Sequence, residues 1–505
     1  AVAEAIKKIS CIEGSNLVAK NKSFMDMLQC GVEVSYFDGK ENRNELIKLV
    51  DFDNPHNNTF HVVNQWTYVE RGTNKRPDII VFVNGLPLVV FELKSPANIN
   101  ADIEDAYQQI QNYIKQIPSL FIYNAFCVIT DMLTTKCGTI TSNESRFMEW
   151  KSVDGSYEST QVADYCTLLD GMFDKDRLCN ILKNFICFSD ETPKDVKILA
   201  GYHQFFAVNK ALTCVEKAMK EKNGKGGVFW HTQGSGKSLS MVFLAHLLQQ
   251  NLDSPTLVVI TDRNDLDNQL FGQFSRCREF LRQDPLQAKH CEKGEGNLVD
   301  LLKTRVANGI IFTTMQKFEE SDEPLSERNN IVVMADEAHR GQYGLAEKIK
   351  IVKNEDGKEE AKRVIGTARI IRNSLPNATY IGFTGTPISV KDRSTREVFG
   401  EYIDIYDMTQ AVEDGATRPV YYESRVIKLN LDEEVLKTID HEYDTMSQYA
   451  DQEVIEKSKR DLGHMEAILG NENTIKSLVD DILDHYENNR EHLLTGKAMI
   501  VAYSR

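Results

Sequence analysis

The ten cysteines of this 505-residue chain include no Cys-x-x-Cys pair and form no cluster with histidine. A structural zinc or an iron–sulfur centre is therefore not indicated, and reduced, mostly buried thiols are expected. The chain also lacks any apolar run long enough to cross a bilayer, and its first residues, AVAEAIKKIS, contain no secretory apolar segment. A cytoplasmic protein with no membrane attachment is expected, trimmed at its N-terminus because it starts at Ala1 rather than at methionine. Positive charge is short as well: 59 basic against 75 acidic residues give a net charge of −16. That excludes coating of nucleic acid through bulk charge but leaves room for a local basic groove. What is present, 41% hydrophobic and 27% charged residues, is the composition of a soluble globular chain. Its length suits about three domains, each with its own core.

One stretch organises the rest. The apolar residues Gly227-Val228-Phe229-Trp230 lead into HTQGSGKS, and a helix with apolar positions at Leu239, Met241, Val242, Leu244 and Ala245 follows. Successive backbone amides aimed at a helix start form an anion site, since unpaired N–H groups and the helix dipole both favour negative charge. The segment Gly234-Ser235-Gly236-Lys237-Ser238 thus predicts a phosphate loop for ATP. Lys237 would reach the β and γ phosphates, and the Ser238 hydroxyl would ligate Mg²⁺. The usual pattern has glycine five residues before Gly236, where this chain has His231.

Upstream, residues 60–130 carry strand signals in FHVVNQWTYV, DIIVFV, LVVFELK and LFIYNAFCVIT. Asn84-Gly85 marks a hairpin between the middle two, and apolar residues on both of its faces place it inside a covered sheet. The hairpin holds Asp78, Glu92 and Lys94. Alternation puts Glu92 and Lys94 on one face. A two-residue loop would pair position 78 with 91 and turn Asp78 away. A three-residue loop, Asn84-Gly85-Leu86, or an equivalent bulge in one strand, would pair 78 with 92, and one of these is expected. Two carboxylates converging on hydrated Mg²⁺ beside a lysine make a site for metal-assisted phosphodiester hydrolysis.

These residues resemble the PD-(D/E)xK nuclease fold. A helix beginning near Asp102 sets Gln109 and Tyr113 four apart, which resembles the Gln-x-x-x-Tyr element of the RecB-like branch of that fold. Members of the branch also use a glutamate on an early helix, and the resemblance makes Glu45 the candidate. Residues 140–195, mixed and partly helical, read as a connecting element that closes the nuclease domain.

After the phosphate loop, strands end in turn at chemistry-bearing residues: Thr261-Asp262-Arg263, then Thr313-Thr314, then Asp336-Glu337-Ala338-His339, then Thr384-Gly385-Thr386. Ligands of open α/β sheets sit at the carboxyl ends of strands. Arg263 and Thr313 are expected at nucleic-acid phosphates, Asp336 at Mg²⁺, Glu337 at the attacking water, and His339 against Thr384 and Thr386. In helicase-like ATPases a glutamine about thirty residues before the phosphate loop reads adenine, and Gln204 matches.

The joint pattern resembles the first RecA-like lobe of superfamily 2 helicases of the DEAH type. With the nuclease signals it resembles the restriction (motor and nuclease) subunit of type I restriction-modification enzymes. The expected architecture is α/β: a nuclease domain at 1–195, a first RecA-like lobe at 196–415, and the start of a second RecA-like lobe at 416–505, truncated after a strand in KAMIVAYSR. The resemblance implies ATP and Mg²⁺ as cofactors. It implies double-stranded DNA, methyltransferase and specificity subunits as partners. It also implies ATP-dependent DNA translocation with endonuclease cleavage, and a completing arginine beyond residue 505, so that this chain binds nucleotide but hydrolyses it poorly. Two other readings stay open: a helicase carrying a non-cleaving nuclease-like domain, and a DNA-binding assembly scaffold.

Overall fold

The computed structural model describes residues 1–37, 39–95, 103–156, 165–191, 193–262, 264–288, 296–305, 307–318, 323–338, 348–353, 359–364, 367–386, 393–419, 422, 472–489, 499 and 501. Its first large sheet has six strands. Their spatial order is Met148–Glu149, Thr135–Gly138, Phe126–Thr130, Leu86–Leu93, Ile79–Val83 and Phe60–Asn64. All neighbours are antiparallel except Leu86–Leu93 and Phe126–Thr130. A parallel pair needs a crossover, and the helix Ile103–Gln116 provides it.

The hairpin strands are buried on both faces, as their continuous apolar sequence requires. Ile80, Val90, Cys127 and Ile129 pack with Ala106, Ile110 and Tyr113 of the crossover helix. Val81, Val83, Leu88, Val89, Phe91, Phe126 and Val128 pack on the opposite side, in a core that includes Phe24, Leu28, Leu168, Met172 and Leu182.

The second large sheet has seven strands, parallel throughout. Its order is Leu286–Gln287, Ile310–Thr314, Thr256–Thr261, Ile331–Ala335, Thr379–Thr384, Lys225–His231 and Tyr402–Tyr406. Four of the inner strands are buried at every position, which matches their Val/Ile/Leu-rich runs. Tyr202–Glu221 and Lys237–Asn251 line one face. Leu298–Thr304 and Thr367–Ser374 contribute to the separate core on the other.

The apolar core does not stop at the boundary between the sheets. Val81, Phe91 and Phe126 of the first sheet and Val259, Phe312 and Phe383 of the second belong to one continuous cluster, bridged by Phe185, Phe205 and Phe243. Ala1–Arg418 is accordingly one compact unit, and Pro419–Arg505 is another. In the second unit the described element is the helix Glu472–Asn489. The strand expected at 497–505 lies outside the described residues except for Met499 and Val501.

The segment between the sheets is fastened by a buried lysine. Lys197, on the short strand Val196–Leu199, donates from Nζ to Asn21 Oδ1 (2.8 Å) and to the Asn124 carbonyl (2.7 Å). Burial lowers its pKa to about 7. The unfolded chain therefore binds one more proton than the folded chain between about pH 7 and the ordinary lysine range. Stability is expected to rise with pH across that window, by at most about 1.4 kcal/mol per unit. Denaturant titrations of wild type and Lys197→Met at stepped pH check this: the variant should lose that part of the slope.

Candidate active sites

Of the two arrangements expected from sequence, a three-residue loop or a bulge in one strand, the hairpin has the bulge, and its turn is the tighter one. Val83 pairs with Leu86, so Asn84 and Gly85 alone form the turn, at φ 51° and 82°. Two consecutive left-handed residues are the signature of the tight turn that Asn-Gly favours. Asn84 is held there by its side chain, which accepts from Thr59 N (2.8 Å) and donates to the Leu49 carbonyl (3.0 Å). The register nevertheless shifts between Val81 and Phe82, because one extra residue is inserted near Leu88. Adjacent residues Leu88 and Val89 both pack into the same core, as a bulge allows. Beyond it Ile79 pairs with Phe91, and the next step sets position 78 opposite position 92.

Asp78 and Glu92 consequently share a side of the sheet. Asp78 Oδ2 accepts from Leu93 N (2.8 Å), and its Oδ1 accepts from Gln65 Nε2 (2.8 Å). Glu92 is 4% exposed; its Oε1 accepts from Lys94 Nζ at 2.7 Å, while its buried Oε2 has no protein partner. Burial raises the Glu92 pKa, Asp78 adds to the rise, and Lys94 opposes it. Gln109 and Tyr113 come from the crossover helix. The Tyr113 hydroxyl donates to the Arg76 carbonyl (3.3 Å) and interacts with Gln109 and Glu92; its burial pushes its pKa up.

Two carboxylates, one with an unclaimed buried oxygen, form a hard donor set. Among the described residues no group of three or more His, Cys, Asp or Glu side chains could hold a metal ion. Mg²⁺ keeps several waters and binds through one or two carboxylates, so the pair fits it better than it fits a fully protein-caged ion. Glu45 is not part of this arrangement. It lies on the exposed strand Asn42–Ile47 rather than on a helix, and its Oε1 accepts from Tyr36 (2.9 Å).

The phosphate loop leaves the end of Lys225–His231 and feeds the helix Lys237–Asn251. Gly234 and Gly236 have φ 85° and 83°. That left-handed backbone favours glycine at Gly236, where a Cβ would also stand 2.8 Å from Gln204 Nε2 and displace it. Ser235 is buried and Ser238 half-buried in the first turn. Lys237 Nζ donates to the Thr232 carbonyl (3.2 Å). Burial lowers its pKa, while Asp336 and Glu337 pull it back up. Lysine and the two acids therefore face one another across the strand ends. Asp336 is fixed by its amide to the Ile260 carbonyl (2.8 Å), and Glu337 follows at φ 53°, a strained conformation for a glutamate.

Gln204 does not extend toward open space. It is buried, donates to the Gly236 carbonyl (3.1 Å) and accepts from Gly201 N (3.0 Å), bracing the loop from behind. Thr313 is fully buried inside the sheet, so the expectation that its hydroxyl meets a nucleic-acid phosphate is corrected: nothing at that depth reaches one without rearrangement. Thr384 is equally buried and exchanges 3.4 Å contacts with the Thr386 backbone; the Thr386 hydroxyl oxygen is buried without a partner. Arg263 and His339 lie outside the described residues.

Several supporting residues had little signal in the sequence. His231, legible only as a departure from the glycine pattern, is fully buried, and its Nε2 is 3.0 Å from Asp404 Oδ2. Burial lowers the His231 pKa. Burial would raise that of Asp404, but His231 and Lys210 more than offset it. His203 contacts the Ser235 carbonyl (3.0 Å) and stacks on Tyr406 with centroids 4.2 Å apart. Burial lowers its pKa to about 4, so it is neutral near pH 7.

Residues 203–456 match the SWI2/SNF2 ATPase family over half of the chain. The chain belongs to the SWI2/SNF2 ATPase family. Residues 1–146 match the family described as the type I restriction enzyme R protein N terminus. A similar protein is the type I restriction enzyme HindI endonuclease subunit of Haemophilus influenzae, 40% identical over 100% of this chain and 47% of that one. A candidate type I restriction enzyme endonuclease subunit of Methanocaldococcus jannaschii, MjaIXP, is 35% identical over 99% of this chain and 47% of that one. This SWI2/SNF2 chain thus spans about half the length of the relatives it matches. Among solved structures, a fragment of a candidate HsdR subunit of a type I restriction enzyme from Vibrio vulnificus YJ016 aligns over 85% of this chain and 72% of that one. Its identity is 15% and its TM-score 0.30, too low to bear on function. No helix among the described residues is long and apolar enough to cross a membrane.

Three outcomes follow from this geometry. Mg²⁺ held by this pair would need ionised Glu92, so its affinity measured by calorimetry should climb with pH through a midpoint above the ordinary glutamate range, and Glu92→Gln should abolish it. The sign for the metal-free protein is opposite: a raised carboxyl pKa stabilises the fold at low pH and loses that contribution as pH rises through it. At neutral pH, metal-free Glu92→Gln should therefore melt higher than wild type. At the phosphate loop, His231→Gly, which restores the commoner pattern, should lower stability by about 2–4 kcal/mol through a cavity and the loss of the partner of Asp404 Oδ2, Oδ1 keeping Lys210. Chemical denaturation reads that loss.

Proposed function

We propose that this chain is the motor and nuclease part of a type I restriction subunit, which translocates double-stranded DNA at the expense of ATP and cuts it. The observation that carries the reading is the meeting of half-buried Asp78 and Lys94 with buried Glu92 in one site, within the same compact unit as a phosphate loop facing Asp336 and Glu337. The family match supports the ATPase half, and the similarity to restriction endonuclease subunits supports the cutting half.

In this reading residues 1–195 are the nuclease domain, 196–415 the first RecA-like lobe and 416–505 the start of the second. Asp78 and Glu92 would hold Mg²⁺, which when bound acidifies water and screens the phosphodiester. Lys94, 2.7 Å from Glu92, would orient the attacking water and steady charge on the phosphate. Gln109 and Tyr113 would hold the carboxylates from the helix side. At the other site the amides of Gly234, Ser235 and Gly236 and the Lys237 ammonium would bind the β and γ phosphates. Ser238 and Asp336 would hold the nucleotide's Mg²⁺. Glu337 would take the proton from the water that attacks the γ phosphate. Gln204 would brace the loop beside the adenine, and Arg263, His339, Thr384 and Thr386 would link DNA to hydrolysis. Methyltransferase and specificity subunits would be the partners, in the cytoplasm.

One observation favours a helicase whose nuclease-like domain does not cut: both Asp78 oxygens already accept protein hydrogen bonds. Each oxygen keeps a second acceptor direction, so the donors orient the carboxylate without closing it to a cation. Separate substitutions in the complete enzyme decide. Glu92→Gln should abolish cleavage with ATPase retained, and Lys237→Ala should abolish both. Unchanged cleavage by the Glu92 variant would refute the nuclease assignment.

A further inference from the structure

Beside the Glu92 site the sheet ends in a turn whose construction serves no packing purpose. Strands Leu86–Leu93 and Phe126–Thr130 run parallel, with Glu92 beside Ile129 and Leu93 beside Thr130. Lys94 N donates to the Thr130 carbonyl (2.8 Å). The chain then turns through Asp131-Met132-Leu133-Thr134 into Thr135–Gly138. All four amides of the turn are bonded within it or at its base. Asp131 N donates to the Thr134 carbonyl (3.2 Å), and Met132 N donates to Thr130 Oγ1 (2.9 Å). Leu133 N and Thr134 N both donate to Asp131 Oδ1 (3.0 and 2.6 Å). A hydroxyl pair, Thr130 and Thr135 at 2.7 Å, closes the base.

This rigid frame holds up two large apolar side chains in water. Met132 is 54% and Leu133 67% exposed, and Met132 sits at φ 75°, a conformation that costs a non-glycine residue energy. Polar residues would occupy such a turn with less strain and better hydration. The surroundings point to one partner. A row across the sheet runs from position 78 through Glu92 and Ile129 to Lys136, so a lysine stands on the Glu92 side next to the tip. The exposed Arg76 lies two residues before Asp78. The tip stands one strand spacing and two or three residues from Leu93, about 10 Å, which is two or three base steps along DNA.

We propose that Met132 and Leu133 form a wedge that enters a base step of duplex DNA two or three base pairs from the bond held at Asp78 and Glu92. Apolar side chains inserted this way unstack and kink the duplex, which presents its backbone to the cutting site. Lys136 and Arg76 would hold the flanking phosphates. The proposal rests on the nuclease reading for its choice of DNA as partner, but its test is independent of cutting.

The test uses the 505-residue chain with Ca²⁺ replacing Mg²⁺ and short duplexes carrying 2-aminopurine at successive positions. Wild type should raise the fluorescence of some positions several-fold on binding. The double variant Met132→Ser/Leu133→Ser should lose that rise and bind about tenfold more weakly, as expected for two apolar side chains left without a partner. Its melting temperature and nucleotide binding should be unchanged, since neither side chain packs against the fold. Met132→Phe should retain the rise. An unchanged rise in the double-serine variant, or binding by wild type with no rise at any position, overturns the wedge. So does loss of a protein partner by the double variant with its DNA signal intact. Glu92→Gln separates the two readings: fluorescence retained with cleavage lost supports both, whereas cleavage retained sinks the nuclease site and leaves the wedge to the fluorescence result.

Discussion

A carboxylate withheld from water is the constraint on which the first half of the molecule turns. Glu92 sits in a strand covered on both faces, where a lone charge is costly, and its strand neighbours leave no doubt that the position is interior. Such a residue persists only if its surroundings compensate or its function requires it. Lys94 compensates one oxygen at 2.7 Å, Tyr113 adds a weaker interaction, and Oε2 makes no hydrogen bond of normal geometry. The bulge near Leu88 exists on the same account. Without it the tight Asn84-Gly85 turn would send Asp78 to the opposite face, and the buried acid would have no second carboxylate beside it.

The parallel sheet follows the same logic with the signs distributed differently. Lys237 is the buried charge there, and Asp336 and Glu337 support it from the end of Ile331–Ala335, two strands away. Because every strand points the same way, all of these groups gather on one rim of the sheet, and helix N-termini add partial positive charge to it. The histidines behind the loop are neutral or held by a carboxylate, so they brace the loop without competing with Lys237 for phosphate. His231 replaces a glycine because the space it fills is interior: Phe229 and Tyr406 lie within 5.3 Å of its ring, and Asp404 holds its edge.

Much of this was legible in the residues. Runs such as TLVVIT and IVVMA named the buried strands, Asn-Gly named the turn, and the loop glycines stand where left-handed backbone is required. The sequence also required that 78 and 92 be brought into register, but it could not say whether by loop or by bulge. Both insert one residue, and only packing distinguishes them. Glu45 was a candidate only because the resemblance implies a glutamate on an early helix, whereas in the fold it lies on a strand that pairs residue by residue with Val32–Phe37. Thr313 was misplaced because a strand end looks like a rim in sequence, and its burial depends on neighbours from elsewhere in the chain. Asp404 lies 173 residues from His231, so that contact had no local signal at all.

The shared core sets how the two sites can cooperate. Separating the first sheet from the second would expose Phe185, Phe205 and Phe243, all nearly fully buried, and each large side chain brought into water costs about 1.5–3 kcal/mol. The contact is reinforced at its edge, where Lys151 pairs with Asp414 at 3.0 Å and Asp414 also accepts from the Tyr202 and Tyr406 hydroxyls. Tyr406 is the ring stacked on His203, directly behind the phosphate loop. A hinge between the Glu92 site and the phosphate loop is therefore expensive within Ala1–Arg418. With their spacing held, the proposed nuclease reading places control on how substrate is presented to a standing site rather than on assembling that site anew.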